Sequence, residues 1–324
     1  MGALSGVPLS VLDRSRTRVG ETEAETLRAT VELAQEVEAL GYKRFWVSEH
    51  HSVPGVVGSA PTVLAAAIAA RTDRIRVGTG GVMLPNHKPL VVAEQFGVLE
   101  SLYPGRIDMG LGRSVGFTNG IRRALGVEKD AAEDFAVQVR ELLAYLDGTQ
   151  SNQVHARPGE GLRIPPFILA VGEGTAIAAS LGLPVVLAVR PGSEALLEEY
   201  RSTFQPSASA TAPYVVLAVT AAVGETTEAA RELLLPEAWA SAYSRTRGVF
   251  PPLEPSVPSD LTPKEQELFE NALRGQIYGT PAEVDAALGE LVRRTAADEV
   301  LITTNTYDRK DLLASYAALA ELTG

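Results

Sequence analysis

The chain contains 324 residues, of which 45% are hydrophobic and 21% are charged, and these globular proportions exclude disordered and collagen-like classes. Its formal net charge of -11 argues against a general nucleic-acid binder, because an acidic surface repels phosphate backbones. The absence of cysteine excludes disulfides, thiolate zinc sites, iron–sulfur clusters and cysteine nucleophiles. With no signal-peptide pattern and no apolar run long enough to span a bilayer, we expect a cytoplasmic protein that does not engage membranes.

Strand-like and helix-like segments alternate in the first half of the chain. The strand-like segments are short and rich in β-branched or aromatic residues, and the helix-like segments repeat apolar residues three and four positions apart. In chain order, this pattern predicts strand 8–13, helix 23–40, strand 43–48, helix 61–71, strand 74–80, helix 91–102, strand 106–111 and helix 120–146.

The alternation continues in the second half, apart from one proline-rich segment. Residues 247–263 are predicted to form a long irregular loop. The pairs Thr262-Pro263 and Thr280-Pro281 predict helix starts, because proline is favourable at the first helical position. The remaining predicted segments are strand 167–171, helix 175–181, strand 183–189, helix 193–204, strand 214–223, helix 227–243, helix 262–274, helix 281–294, strand 299–304 and helix 308–322.

The chain as a whole fits a repeated strand–helix unit. Such alternation implies parallel strands joined by right-handed crossovers. About eight units predict a (β/α)8 TIM barrel formed by one domain, residues 1–324, with functional residues at the carboxyl ends of the strands. A doubly wound open sheet is the competing fold, but it favours a glycine-rich turn after the first strand, and residues 14–17 contain no glycine.

Two adjacent histidines follow the second predicted strand. Glu49, His50 and His51 would lie at the rim of the barrel, where imidazole groups can exchange protons near neutral pH. A structural histidine pair and a metal site are the alternatives. Neighbouring residues of an extended chain point to opposite sides and form a poor pair of metal ligands, so we expect no metal.

Glycines follow the third and fourth predicted strands. The adjacent Gly80 and Gly81 allow a ligand to approach the backbone closely, although a simple bulge is the alternative. Gly112 and Arg113 follow the fourth strand, and the planar guanidinium group of arginine suits phosphate or carboxylate. A surface arginine without a ligand is the alternative there.

The fifth predicted strand leads through Gly172, Glu173, Gly174 and Thr175 into a helix. Glycines at a helix N-terminus expose backbone N–H groups that bind anions, so this turn is a candidate phosphate site. The carboxylate of Glu173 would repel a phosphate unless it faced away. An ordinary capping turn is the alternative interpretation.

Four longer stretches of the sequence carry a more specific signal. They are FWVSEHH (45–51), VGTGGVMLPNHKPLVVAEQFGVLE (77–100), YPGRIDMGLGR (103–113) and ADEVLITTNTYD (297–308). Through them the chain resembles the luciferase-like, flavin-dependent monooxygenases, and it looks most like the single-chain bacterial subgroup that includes antibiotic-tailoring oxygenases of polyketide pathways. The resemblance implies a luciferase-like (β/α)8 barrel that binds FMN at its C-terminal mouth.

The resemblance also implies roles for individual residues around the second and third strands. His50 matches the catalytic histidine of the family, and His51 matches the neighbour that full activity requires. Glu49 lies beside them, where it would tune and orient His50. Gly80 and Gly81 match the site of a non-prolyl cis peptide bond that presses against the flavin ring.

Further roles follow for the phosphate side of the flavin. Gly112 matches the position beside the reactive flavin carbon, and Arg113 matches the arginine that binds the flavin phosphate. Gly172, Gly174 and Thr175 lie where relatives often carry a serine-rich phosphate loop.

The activity that the resemblance implies is oxygenation. Reduced FMN would react with O2 to give a C4a-hydroperoxide, which hydroxylates or epoxidises a small apolar organic substrate such as a polyketide intermediate; Baeyer–Villiger insertion stays open. A separate flavin reductase, as a transient partner, would supply the reduced FMN. The resemblance also implies a homodimer formed through helices 61–71 and 91–102. We expect residues 247–263 to form a lid, and Phe117 and Phe250 to line the substrate pocket.

Three departures from the family pattern leave alternatives open. After the fourth strand, the acidic residue that relatives often carry is missing from residues 112–118, and Phe117 is new. After the fifth strand, Thr175 is the only residue of 171–175 with a hydroxyl group for a phosphate. After the sixth strand, residues 190–192 stand where relatives commonly have a histidine. These departures fit an enzyme that takes up reduced FMN as a diffusible substrate. They also fit a dehydrogenase or reductase that uses a deazaflavin (F420). A noncatalytic flavin-binding subunit is the third interpretation.

Overall fold

The computed structural model describes residues 2–324, and its central feature is a closed barrel of parallel strands. In chain order the strands are β1 (Leu9–Asp13), β2 (Arg44–Val47), β3 (Arg76–Thr79), β4 (Val82–Met83), β5 (Ile107–Gly112), β6 (Pro166–Ala170), β7 (Val185–Ala188), β8 (Val215–Val219), β9 (Ala221–Val223), β10 (Ile277–Gly279) and β11 (Glu299–Ile302).

Parallel pairing closes the barrel. The ring runs β1–β2–β3–β5–β6–β7–β8–β11 and returns to β1, while the short β4 pairs only with β5. The register places Val11 of β1 opposite Phe45 of β2 on one side and Ile302 of β11 on the other. All three side chains are fully buried, as expected for strands covered by helices. The predicted (β/α)8 barrel is confirmed.

Helices surround the barrel, and the predicted threonine–proline starts are confirmed. Thr262 and Thr280 each form a reciprocal capping box with the glutamate three residues later, which satisfies two backbone N–H groups at the helix start. The helices are α1 (Glu23–Ala39), α2 (Pro61–Ala69), α3 (Pro89–Leu102), α4 (Asn119–Leu125), α5 (Phe135–Asp147), α6 (Gly174–Leu181), α7 (Ser193–Thr203), α8 (Thr227–Arg247), α9 (Pro263–Leu273), α10 (Pro281–Thr295) and α11 (Arg309–Glu321).

Two elements that were predicted to be continuous are each divided into two in the structure. The predicted helix 120–146 is divided into α4 and α5, because Gly126 adopts a left-handed φ of 70° and ends α4. The predicted strand 214–223 is divided into β8 and β9. β9 leaves the barrel and pairs in parallel with β10, a strand that the sequence pattern did not predict.

A helical hairpin of α8 and α9 stands beside the carboxyl ends of the strands, which we call the mouth of the barrel. Its side chains form a small apolar cluster of their own, which includes the buried Leu234, Trp239, Phe269 and Leu273. This cluster is separate from the main core between the barrel and its surrounding helices. The hairpin is therefore a packed unit that can present side chains to the mouth.

The amino ends of the strands, which we call the floor, hold a network of buried charges. Arg44 lies between two carboxylates and donates to Glu299 and to Asp108, each at 2.8 Å. Arg76 and the indole N–H of Trp46 also donate to Asp108, at 2.7 and 3.1 Å. Burial opposes ionisation of Glu299, but the charge of Arg44 keeps the pKa of Glu299 below its usual value.

Candidate functional site

A cavity of about 660 Å³ opens at the mouth, between the strand ends and the α8–α9 hairpin. Its size is typical of pockets for small molecules and cofactors. Two sets of predicted site residues can be distinguished by their position. Those that line the cavity are Glu49, His50, Gly80, Gly81, Gly112 and Arg113, and those that lie outside its lining are His51, Gly172, Gly174 and Thr175.

Glycines shape one wall of the cavity. The Gly80–Gly81 peptide bond is cis, as the resemblance implies. A Cβ at Gly81 would lie 2.7 Å from the carbonyl oxygen of Gly110, so the packing of the barrel itself requires glycine at this position. A Cβ at Gly112 would meet nothing closer than the carbonyl oxygen of Val82 at 3.8 Å. The fold does not require glycine at position 112, and its missing side chain leaves room for a ligand.

His50 lies at the cavity wall as a neutral imidazole. Its Nδ1 atom is 3.1 Å from the hydroxyl oxygen of Ser48, and its ring stacks on Phe117 with ring centroids 6.2 Å apart. Burial, reinforced by the positive charges of Arg14 and Arg16, lowers the pKa of His50 to about 4. At pH 7 this imidazole can therefore accept a proton or a hydrogen bond from a reacting group.

Glu49 organises the residues behind His50. Its side chain is fully buried, and its Oε1 atom lies 2.6 Å from Nε2 of His51 and 2.8 Å from Nε2 of His87. Its Oε2 atom accepts the backbone N–H of Met83 at 2.8 Å. Burial opposes ionisation of Glu49, but these hydrogen bonds, with His87 the strongest, hold its pKa below the usual value. An ionised carboxylate only accepts, so both imidazole rings donate to it from Nε2.

His87 is the functional candidate that the sequence analysis missed. It lies after the third strand, within the stretch 77–100 that carried the resemblance, and only its place among the chain's 4 histidines could have marked it. It also lines a second cavity of about 650 Å³, beside Asn86 and Gln138. The amide atoms of Asn86 are buried there and have no hydrogen-bond partner among residues 2–324, so this cavity is polar and suited to water.

The predicted phosphate site is a pair of neighbouring loops at the rim. Arg113 donates to Glu173 at 2.7 Å, and both side chains are exposed. The hydroxyl of Thr175 donates to the carbonyl of Gly172 at 2.9 Å and closes the turn before α6. Glu173 therefore does not face away from Arg113. An exposed ion pair of this kind contributes at most about 1 kcal/mol, so a phosphate can displace Glu173 at small cost.

Two arginines after β1 bind a glutamate of α8. Arg16 donates from Nε to Glu237 at 2.8 Å, and Arg14 pairs with the other oxygen of the same carboxylate. Burial opposes ionisation, but the charges of both arginines keep the pKa of Glu237 below its usual value. These ion pairs attach α8 to the barrel across 221 positions of sequence, which no local pattern predicts.

The first part of the proline-rich loop 247–263 is anchored to the barrel. The backbone N–H of Gly55 donates to the backbone carbonyl of Phe250 at 2.9 Å, and that of Leu253 donates to the backbone carbonyl of Thr17 at 2.8 Å. The guanidinium group of Arg16 lies 4.4 Å from the centroid of the Phe250 ring. Phe250 therefore packs outside the cavity lining, whereas Phe117 lines the cavity as predicted. The role of the loop as a lid stays a prediction.

These residues fit FMN as a ligand of the mouth. The space beside Gly112 can receive a flat ring, Arg113 can receive the phosphate, and His50 borders the same cavity. Within residues 2–324, no group of three or more histidine and acidic side chains is placed to hold a metal ion. In the same part of the chain, every helix is too short or too polar to cross a bilayer.

Comparison with known proteins assigns the chain to one family. The sequence profile described as luciferase-like monooxygenase matches residues 7–299. The "Uncharacterized protein YvbT" of Bacillus subtilis is 40% identical, with 97% of this chain and 96% of that protein aligned. The "Luciferase-like monooxygenase" of Escherichia coli K12 is 34% identical, with 96% and 95% aligned. The "N-acetyl-S-alkylcysteine monooxygenase" of Bacillus subtilis is 41% identical over 61% of this chain and 62% of its own length.

Solved structures share the fold. Apo-MsnO8 is 29% identical, has a TM-score of 0.85, and covers 99% of this chain and 98% of its own. The oxygenating constituent of 3,6-diketocamphane monooxygenase from Pseudomonas putida, in complex with FMN, has a TM-score of 0.70 at 17% identity and covers 98% and 97%. An F420-dependent secondary alcohol dehydrogenase has a TM-score of 0.71 at 13% identity and covers 98% and 99%. The last two similarities concern the fold alone.

Proposed function

Since the chain belongs to the luciferase-like monooxygenase family, we propose that it is an FMN-dependent monooxygenase that inserts one oxygen atom from O2 into an apolar organic substrate by hydroxylation or epoxidation. One observation carries the proposal: the neutral His50, the open space at Gly112 and the rim arginine Arg113 all border one cavity. A proton-handling group, room for a flat ring and a phosphate partner are the three features that this chemistry needs.

In this proposal the protein binds, orients and manages protons. Reduced FMN, when bound, supplies the oxygen-activating chemistry. His50 holds or accepts a proton beside the reacting atoms, and its hydrogen bond with Ser48 at Nδ1 leaves Nε2 free for that exchange. Glu49, held by His51 and His87, fixes the backbone segment from which His50 projects.

Water must be kept away from the reacting atoms, because water diverts activated oxygen species to unproductive decay. The α8–α9 hairpin covers one side of the mouth, and apolar side chains of β6, β7 and β8 line its inner wall. We assign the proline-rich loop 247–263 to this shielding as a lid behind the hairpin.

The exposed phosphate site suits a flavin that enters and leaves. At the rim, Arg113 can bind either Glu173 or a phosphate, so a bound phosphate can be released again. We therefore propose that reduced FMN arrives from a separate flavin reductase as a diffusible substrate. We also propose a homodimer formed through α2 and α3. These helices leave apolar side chains exposed to solvent, namely Val63, Val91, Val98 and Leu102.

A deazaflavin-dependent dehydrogenase or reductase is the second candidate. It is favoured by the contacts of the predicted phosphate site. There Arg113 is paired with Glu173, and the hydroxyl of Thr175 is already hydrogen-bonded. A turn in which the hydroxyl of Thr175 is already used offers fewer donors to a phosphate and suits a cofactor with a different tail.

A fluorescence titration with FMN, oxidised and then photoreduced under anaerobic conditions, tests the proposal. We expect saturable binding that is tighter for the reduced form and weaker for riboflavin, which lacks the phosphate. We expect His50→Gln to bind FMN normally but to lose product formation by roughly 100-fold or more, the usual contribution of a general acid or base. N-acetyl-S-methylcysteine is the first substrate to try, in view of the relative named above.

Each other outcome has a distinct meaning. Binding of the deazaflavin without binding of FMN would favour the second candidate. FMN binding without any O2-dependent product would favour a noncatalytic flavin-binding subunit. Normal turnover by His50→Gln would remove His50 from the mechanism.

A further inference from the structure

One row of side chains on α8 faces the cavity and ends in an unneutralised arginine. Glu237, Ser241 and Arg245 all line the cavity, and a spacing of four residues places them above one another on one helix face. At a rise of about 1.5 Å per residue, the row extends for about 12 Å along the mouth.

The two charged ends of this row differ. Glu237 is neutralised by Arg14 and Arg16 beneath it. Arg245 is exposed at the cavity, and within residues 2–324 its side chain makes no hydrogen bond or ion pair. Two positions further on, Arg247 has its own partner in Glu265 at 2.9 Å and does not line the cavity. Arg245 is thus the free cation of the row in the described part of the chain.

The electrostatics of the mouth favour an anionic ligand. The cavity lining contains five arginines and two glutamates, although the whole chain has a net charge of -11. Glu49 and Glu237 are already bound by internal donors, and Arg14 and Arg113 are paired with Glu237 and Glu173. Within residues 2–324, the lining arginines whose side chains make no hydrogen bond or ion pair are Arg190, Arg245 and Arg274. An anion is therefore attracted to the mouth more than to any acidic part of the surface. The inner wall beside these charges is apolar, with Leu169, Val186 and Ile277.

We propose that Arg245 binds a carboxylate of the organic substrate, and that the cavity thereby selects acids with an apolar body, such as N-acylated S-alkyl cysteines. The planar fork of arginine matches both oxygens of a carboxylate. Arg113 lies on the β5 loop and serves the flavin phosphate, so the two anions are recognised from different elements of the fold. This inference rests on the proposed function, because it names the substrate of the same cavity.

Calorimetric titration with N-acetyl-S-methylcysteine and with its methyl ester tests the inference. Each compound is titrated into wild type, Arg245→Gln, Arg245→Lys and Arg247→Gln, with and without saturating oxidised FMN. We expect Arg245→Gln to weaken binding of the acid roughly 10- to 100-fold, the loss typical of a hydrogen bond to a charged group, and to leave the ester unaffected. Arg245→Lys should retain part of the affinity.

The control is Arg247→Gln, which removes an arginine of the same helix turn that is outside the cavity, and it should leave both affinities unchanged. Unchanged affinity of Arg245→Gln for the acid, or equal weakening for acid and ester, would overturn the inference. So would a wild-type protein that does not bind the acid. Failure to bind FMN would contradict the proposed function instead, because the titration without FMN tests Arg245 by itself.

Discussion

The floor and the mouth of one barrel differ in how many of their charged and polar groups have a protein partner. At the floor, the fully buried Asp108 and Glu299 are each held by arginine and by further donors. At the mouth, His50 is neutral and contacts the hydroxyl of Ser48, and Arg245 lines the cavity without a hydrogen bond or ion pair from residues 2–324. The amino ends of the strands therefore use charge to fix the fold. The carboxyl ends combine paired carboxylates, Glu49 and Glu237, with polar groups that stay available to ligands.

This difference separates stability from chemistry along each strand. β2 begins with Arg44 in the floor network and is followed by Glu49 and His50 at the mouth. Changes at one end of the strand should lower the free energy of unfolding and leave ligand binding intact. Changes at the other end should lower ligand binding or turnover and leave the free energy of unfolding at neutral pH unchanged. Three measurements test this contrast.

We expect the greatest loss of stability from a change at the floor. Arg44→Met leaves two buried carboxylates short of their main cation, which typically costs about 3–5 kcal/mol of unfolding free energy. Urea denaturation measures the loss, and FMN titration below the transition should give the wild-type affinity. Arg71→Met, the same change at an exposed arginine, is the control. If both variants lose equally little, the floor network does not stabilise the barrel.

The next effect concerns the pH dependence of stability at the mouth. The pKa of His50 is about 4 in the folded protein, against about 6.5 in the unfolded chain. Between these values the unfolded chain binds a proton that the folded protein does not, so stability falls as the pH falls from about 6.5 to about 4.

We expect His50→Gln to remove a part of this acid destabilisation, on the order of 1–3 kcal/mol between pH 7 and pH 4. Unfolding free energies of wild type and variant at several pH values measure it, and the difference between the two curves isolates His50 from the carboxylates. Parallel curves would show that His50 is protonated normally in the fold.

The smallest effect concerns His87, which acts on the mouth through Glu49. We expect His87→Ala to lower the rate of product formation about tenfold, as for loss of an outer hydrogen-bond partner. Imidazole in solution should restore part of the rate, because the second cavity of about 650 Å³ gives access to the vacated position.

His87→Gln keeps an N–H donor for Glu49 and should lose less activity than His87→Ala. His155→Ala is the control, since His155 is exposed and pairs only with Glu160 and Gln150. An effect that imidazole cannot reverse would mean that His87 supports packing and does not position Glu49.

The barrel could be predicted because its signal is repeated along the chain. Each strand–helix unit carries its own apolar pattern, so errors in one unit leave the topology unchanged. The division of helix 120–146 was not predicted, because the apolar spacing continues past Gly126 and only the backbone conformation of this glycine ends α4. The break between β8 and β9 was missed, and so was β10, because three-residue strands are recognisable only through their pairing.

The candidate site could be predicted only where it lies at strand ends. His50 and Gly112 directly follow or end barrel strands, and the fold brings all such positions together. His87, Glu237 and Arg245 reach the same region from a turn and from a distant helix. Their positions depend on how those elements pack, which hydrophobic periodicity does not encode.

The ion pairs of Glu237 give the cavity an asymmetric entrance. A movement of α8 away from the barrel would separate Glu237 from both Arg14 and Arg16 and leave three charges unpaired. On the loop after β5, Phe117 is 65% exposed and stacks on His50, so little buried apolar surface opposes its displacement. We therefore expect large ligands to enter past the loop after β5, with the hairpin as a fixed wall of the cavity.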